Sequence, residues 1–273
     1  MDFAHSNDGH DETDARRVVA ILRIGTLACF VGHGALGLFG YAPAIKAWPA
    51  YFAVVGIGRE TALQLMPWVG AFDIAMGLSA LFFPVRGVIL YMTAWCGWTA
   101  LLRPLAGESF WEFFERAGNY GVPLALLIVA AGGWWSRASF TFAWAGARRR
   151  ALDWTLRLAT VLLLFGHGAL NLIAQKPLFV SHYGAIGLPG SPTESLVGGF
   201  ECLLALAILF RPGRRLLLGA LVWKLFSEAL APMAGSPLWV FIEHGGSYAA
   251  PLALALLLRA RCAAAVSAPL SPA

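Results

Sequence analysis

The chain contains itself twice. Arg23-to-Leu36 matches Arg157-to-Leu170 at an offset of 134, including the identical block Gly-His-Gly-Ala-Leu at 32–36 and 166–170. After a connection six residues longer in the first copy, the offset becomes 128 and holds. Val69-Gly70 then matches Val197-Gly198, Phe72 matches Phe200, Pro84 matches Pro212, Arg86 matches Arg214 and Trp95 matches Trp223. Further on, Pro104, Gly107, Trp111, Phe113, Glu115, Gly118, Tyr120 and Pro123 recur as Pro232, Gly235, Trp239, Phe241, Glu243, Gly246, Tyr248 and Pro251. Self-similarity of this length constrains the fold strongly, because each copy must build the same supersecondary unit and cover its apolar faces against itself or the other copy.

What is repeated is apolar. Hydrophobic residues make up 59% of the chain and charged residues 13%, against about 25% charged in a soluble domain. A bilayer-spanning helix needs about 20 predominantly apolar residues, and eight such stretches occur, at roughly 22–44, 66–84, 87–103, 119–135, 157–175, 196–210, 216–231 and 247–260. The expected fold is all-α: a polytopic membrane helical bundle of eight transmembrane helices. Four spans per copy is an even number, so both copies start on the same side, as parallel repeats with a pseudo-twofold axis along the membrane normal. The corresponding boundaries are 1–21 for an acidic cytoplasmic tail, 22–136 for the first repeat, 137–156 for a basic cytoplasmic linker, 157–260 for the second repeat and 261–273 for a C-terminal tail.

Orientation follows from the basic residues, which are retained on the cytoplasmic side during insertion. With the N-terminus inside, Arg16, Arg17, Arg23, Arg86, Arg137, Arg148, Arg149, Arg150, Arg157, Arg211, Arg214, Arg215, Arg259 and Arg261 are cytoplasmic, 14 of the 20 Lys and Arg. Lys46, Arg59, Arg103, Arg116 and Lys176 fall outside or at the outer rim, and Lys224 in mid-membrane. Both termini are therefore expected in the cytoplasm. The first seventeen residues lack the basic n-region and cleavage site of a secretory signal, so the first span reads as an uncleaved anchor. Trp134 and Trp135 are expected in the interfacial aromatic belt.

The net charge of +5 is spread through short inter-helix turns and is not interleaved with aromatics. That pattern points to anionic lipid headgroups and away from nucleic acid. Cys29, Cys96, Cys202 and Cys262 show no Cys-x-x-Cys spacing, so neither a disulfide framework nor a zinc knuckle is indicated. No Walker A, Gly-x-Ser-x-Gly, dinucleotide-binding or His-Glu-x-x-His motif is present.

Function must then be read from polar residues inside the spans, which cost about 2.5–3.5 kcal/mol each or more and face a bundle interior or a cavity. His33 and His167 lie ten residues beyond the inner-rim Arg23 and Arg157, about 15 Å up a helix. Asp73 and Glu201 lie eleven residues from Pro84 and Pro212, about 16 Å along theirs. Each copy thus sets a His and a carboxylate at one depth on neighbouring helices, and His33, Asp73, His167 and Glu201 are the candidate catalytic residues. Such a pair suits proton handling; two imidazoles facing across an axis suit metal or haem ligation; a helix-fastening hydrogen bond is the bland alternative. The second copy adds Lys224 and Glu228 on one helix face, with Ser227 beside them and Asn171 one turn beyond His167, where the first has Cys96, Ala100, Thr99 and Gly37. If one copy alone is active, the second is expected. Arg103, with Ala231 in its place in the second copy, is expected at the outer mouth.

Between the third and fourth spans, GESFWEFFERAGNYG and GSPLWVFIEHGGSYA carry aromatics and a carboxylate. A segment of this kind lies along or dips into the outer interface. Glu115, Glu243, Tyr120 and Tyr248 join Lys224, Glu228 and Asn171 as candidate substrate-binding residues.

His33-Gly34 with Asp73, and His167-Gly168 with Glu201, each within a four-helix unit of roughly 110 residues, resemble the DoxX-like membrane family, here covering nearly the whole chain twice. Members often carry Lys one turn after the His, where this chain has Gly37 and Asn171. The resemblance implies a bacterial inner-membrane protein, in some members a subunit of quinone-linked sulfur oxidation. The expected function is a redox-associated subunit with an intramembrane His–carboxylate site for a quinone-like or other small molecule, beside a partner redox subunit. A small-solute transporter or channel, and a purely structural subunit, are the alternatives. Quinone is the expected cofactor class ahead of haem, and no metal ligand set is assigned.

Overall fold

A computed structural model describes residues 5–266 apart from 41, 141, 143 and 189, and nearly all of it is helix. The ends of the expected tails, 1–4 and 267–273, and the side chains of Arg261 and Cys262 lie outside the described residues. The first half runs α1 (His5–Phe39), α2 (Ala42–Val54), α3 (Arg59–Phe82), α4 (Arg86–Leu105), α5 (Trp111–Glu115) and α6 (Ala117–Val129). The two-residue strands β1 (Ala130–Ala131) and β2 (Ser139–Phe140) pair antiparallel. The second half runs α7 (Gly146–Leu172), α8 (Pro177–Gly184), α9 (Gly190–Phe210), α10 (Arg214–Met233), α11 (Leu238–Glu243) and α12 (Gly245–Val266).

Among the described residues, six segments are long and apolar enough to cross a membrane: Glu12–Phe39, Arg59–Phe82, Gly146–Leu172, Gly190–Phe210, Arg214–Met233 and Leu238–Arg259. Three boundaries differ from the sequence expectation. The apolar stretch at 119–135 stops being helical at Val129, because Gly132 turns the chain with φ +99° and the Ala130–Ala131 pairing follows. The outer connections contain α2 and α8, which are themselves apolar: Trp48 of α2 is buried against Leu36 and Met66. The expected tail is folded at least from residue 12, where α1 presents Ala15, Val18 and Val19 to the core and leaves Arg16 and Arg17 outside.

The central core is made by α1, α6, α7 and α12, through Val18, Leu22, Val122, Leu126, Leu156, Leu163 and Leu254. Outside it, large apolar side chains such as Trp68, Phe72, Leu203, Phe210 and Val222 face outward. Apolar surface on this scale is stable only in a nonaqueous solvent or under a partner, and a bilayer supplies it.

Without a hydrophobic drive between helices in lipid, close approach depends on small residues. In this chain the close approaches fall on matched glycines. A Cβ on Gly34 of α1 would stand 2.4 Å from the Gly70 carbonyl of α3, and one on Gly168 of α7 would stand 2.9 Å from the Gly198 carbonyl of α9. The halves meet the same way: a Cβ on Gly246 would lie 2.3 Å from the Gly118 carbonyl. A Cβ on Gly32 would lie 2.2 Å from Glu243 N, and one on Gly166 would lie 2.3 Å from Glu115 N. The short α11 therefore rests on α1, and α5 on α7, so each half lays its outer helix across the first helix of the other. The repeated Gly-His-Gly has a division of labour: its first glycine admits the other half, its second admits the carboxylate-bearing helix of its own.

Arg23 and Arg157 fix the ends of α3 and α9. Arg23 donates to the Ala80 carbonyl at 3.1 Å and to Leu81, and Arg157 donates to Ile208 at 3.2 Å and Leu209 at 2.5 Å. These are the last carbonyls of α3 and α9, which have no partner within their own helices.

A candidate intramembrane site and the charge network between the halves

With α1 held on α3 and α7 on α9, His33 Nδ1 lies 2.8 Å from Asp73 Oδ2, and His167 Nδ1 lies 2.5 Å from Glu201 Oε2. Both carboxylates are fully buried. A ring covers each imidazole. Trp48 stacks on His33 with centroids 4.7 Å apart, and Phe179 of α8 lies 4.7 Å from His167.

Beyond this point the halves differ. In the second, the site is filled by its own side chains. Trp223 Nε1 donates to Glu201 Oε1 at 2.7 Å, and Asn171 donates to the His167 carbonyl at 3.0 Å while accepting from the Tyr183 hydroxyl at 2.7 Å. Lys224, 1% exposed, holds Glu228 at 2.5 Å. In the first, the His33 side chain is 29% exposed and borders a cavity of about 250 Å³. Its wall includes Phe30, Trp48, Trp95, Trp98, Arg103 and Asn119, together with His33 and Asp73. Cys96 and Ala100 also line it, at the positions where the second half has Lys224 and Glu228. The volume exists because a thiol and a methyl stand where the other half puts an ammonium and a carboxylate. The imidazole of the more polar half is thus the covered one, 6% exposed against 29% for His33.

Between the halves runs a chain of buried ion pairs. Arg116 donates to Glu243 at 2.7 Å and lies 2.9 Å from Glu115. His244 sets Nε2 3.3 Å from Glu115 and Nδ1 2.9 Å from Glu228, which leads on to Lys224. Three carboxylates face two permanent cations, and a protonated His244 makes the set neutral. Glu115, Glu228 and His244 bring metal-type ligand atoms within 4.8 Å of one another, but Arg116 and Lys224 already pair both carboxylates.

A second cluster joins α2, the turn after α4, α5 and the turn before α8. Arg103 donates to Glu108 at 3.1 Å and Glu112 at 3.2 Å, Lys176 donates to Glu112 at 2.5 Å, and the Tyr51 hydroxyl donates to Glu108. Burial raises the Glu108 carboxyl, but Arg103, the Tyr51 hydroxyl and Lys176 outweigh it and hold the group below its ordinary value.

The sequence-selected residues therefore divide among these places. His33 and Asp73 border the cavity; His167, Glu201 and Asn171 form the filled counterpart; Glu115, Glu243, Lys224 and Glu228 belong to the inter-half chain. Tyr120 and Tyr248 donate to the Phe113 and Phe241 carbonyls at 3.3 and 2.9 Å, fastening α5 to α6 and α11 to α12. Sequence reasoning passed over Trp48, Tyr183, Arg116 and His244. The last two could have been found, since both are nitrogen bases placed immediately after the matched Glu115 and Glu243.

Neither a protein-family model, nor a curated protein, nor a solved structure matches this chain.

Proposed function

We propose that the chain is a DoxX-like integral membrane protein whose first half binds a small, ring-bearing molecule of the quinone class, with the His33–Asp73 pair holding or moving its proton. In this reading α4 and α6 complete eight spans in two parallel repeats about an axis along the membrane normal, both termini lie on the cytoplasmic side of a bacterial inner membrane, and the protein serves a partner redox subunit. The carrying observation is the cavity of about 250 Å³ that joins aromatic walls to a buried His–carboxylate pair. Pockets for drug-sized ligands run to about 300–1,000 Å³, so this one suits a single ring whose tail lies in the bilayer. At the matching positions of the second half stand Lys224 and Glu228, buried and paired with one another, which favours a one-sided binding site over a solute path through both halves.

The test is titration of the nanodisc-embedded protein with ubiquinone-1, read by quenching of tryptophan fluorescence. The wild type is expected to bind, and the double substitution His33→Phe with Asp73→Asn is expected to lose binding. Substitutions at His167 and Glu201 that preserve the fold leave binding intact. A wild type that shows no saturable quenching with either ubiquinone-1 or its quinol, or a double variant that binds as well as the parent, removes the reading.

A further inference from the structure

The two halves treat the same buried carboxylate differently. In the second, Glu201 uses both oxygens: Oε2 faces His167 Nδ1 at 2.5 Å, and Oε1 accepts from Trp223 Nε1 at 2.7 Å. The first half has the matching tryptophan, Trp95, but its carboxylate is one methylene shorter. Asp73 Oδ2 keeps the histidine contact at 2.8 Å, while Asp73 Oδ1 and Trp95 Nε1 are both buried without a hydrogen-bond partner. An acceptor and a donor that satisfy one another in one half are left open in the other. Asp73 and Trp95 both line the cavity, as does Asn119, whose Oδ1 is likewise buried and unpartnered.

Buried polar groups without partners are few in folded proteins and each asks for a reason. Here one reason can be common to all three: the residues that bear them line one cavity, and together they want one acceptor and two hydrogens. We propose, on the reading that this cavity is a binding site, that it recognises hydroxyl groups. A ligand hydroxyl donates to Asp73 Oδ1 while its oxygen accepts from Trp95 Nε1, and a second hydroxyl across the ring donates to Asn119 Oδ1. A carbonyl can accept from Trp95 but has no hydrogen for Asp73, and it sets its lone pairs against the carboxylate. Of the two redox forms of a quinone-class ligand, the dihydroxy form is the one the cavity holds.

The experiment compares ubiquinol-1 with ubiquinone-1, under anaerobic conditions, on the nanodisc-embedded full-length protein. Wild type is expected to bind the quinol about tenfold more tightly or better, the value of one buried polar group left unpaired. Asp73→Glu lets residue 73 reach Trp95 as Glu201 reaches Trp223. It is expected to bring the ratio to near one while raising the apparent melting temperature of the ligand-free protein, a gain that loss of a helix-fastening contact would not produce. Asn119→Leu removes an acceptor that only the hydroxyl form can satisfy, lowers the preference, and keeps the test available if Asp73→Glu folds poorly, whereas Trp95→Phe weakens both forms alike. Equal binding of the two forms by wild type, or an unchanged preference in Asn119→Leu and Asp73→Glu, overturns hydroxyl recognition while the cavity reading stands. Binding of neither form removes both.

Discussion

Gly32→Ala is the sharpest test of how the halves interlock. A methyl at this position would stand 2.2 Å from Glu243 N, 2.5 Å from its Cα and 2.8 Å from its Cβ, where ordinary contact begins at 3.4 Å. Two of those three atoms are backbone, so no rotamer change relieves the clash, and α11 must withdraw from α1 by about an ångström or more. Glu243 rides on α11 and accepts from Arg116 at 2.7 Å, so the withdrawal stretches a buried ion pair beyond hydrogen-bond length. Overpacking costs about 1–3 kcal/mol, and outright loss of a buried pair about 3–5 kcal/mol; a clash that stretches the pair without deleting it falls near ~3 kcal/mol. At about 2–4 °C per kcal/mol for a chain of this size, the apparent melting temperature should fall by about 6–12 °C in a fixed detergent. Gly97→Ala is the control, because nothing lies within 4 Å of its Cβ position on α4 and alanine is the better helix former. If Gly32→Ala melts together with Gly97→Ala, the crossing of α11 over α1 is not what holds the halves.

Other consequences follow from the same contacts. Lys224→Ala leaves Glu228 buried with His244 as its remaining partner, and should destabilise by about 3–5 kcal/mol; Lys224→Met with Glu228→Met should recover most of that loss in the same melting assay. Placing the second half's residues in the first, as Cys96→Lys with Ala100→Glu, should fill the cavity and abolish quinol binding in a protein that still elutes as a monodisperse peak. The Glu108 carboxyl is held below its ordinary value in the fold, so its contribution to stability is present above the unfolded value of about 4.3 and is lost as pH falls through the lower folded value. The melting temperatures of wild type and Glu108→Gln should accordingly differ at pH 6 and converge in acid; a difference independent of pH would refute the assignment.

The parts of this fold that the sequence announces are those that depend on runs and spacing. Apolar stretches of about 20 residues mark helices whatever they pack against, and counting residues at 1.5 Å each puts His33 level with Asp73 and His167 level with Glu201. Helix ends and neighbours are another matter. The stretch at 119–135 is apolar beyond Asn119, yet helix stops at Val129, where Gly132 turns the chain and Ala130–Ala131 pairs with a strand at Ser139–Phe140. Nothing in periodicity says that α5 lies on α7 and α11 on α1. That choice is made by Gly32 and Gly166, and a glycine in an apolar stretch names no partner. Glu115, Glu243, Lys224 and Glu228 were drawn toward a ligand by their charge, but a carboxylate or ammonium in an apolar span is equally explained by an opposite charge on another helix, and here Arg116, His244 and each other supply it.

The cavity was the least legible feature because it consists of missing atoms. Extra polar groups in the second half drew attention there, since an ionisable residue in a span is conspicuous, whereas Cys96 and Ala100 look like ordinary helix residues. Duplication changes the meaning of both. A position that is Ala in one copy and Glu in the other reports a volume as well as a charge, and a carboxylate that is Asp in one and Glu in the other reports a reach. Where the longer side chain closes the hydrogen bond to Trp223, the site is complete and braces α9 against α10. Where the shorter one falls short of Trp95, two polar groups are left buried and unpaired, at about 1–3 kcal/mol each. On the proposed reading, a half that bears such a cost beside an open volume, while its twin shows how one methylene would remove it, is shaped for something that enters.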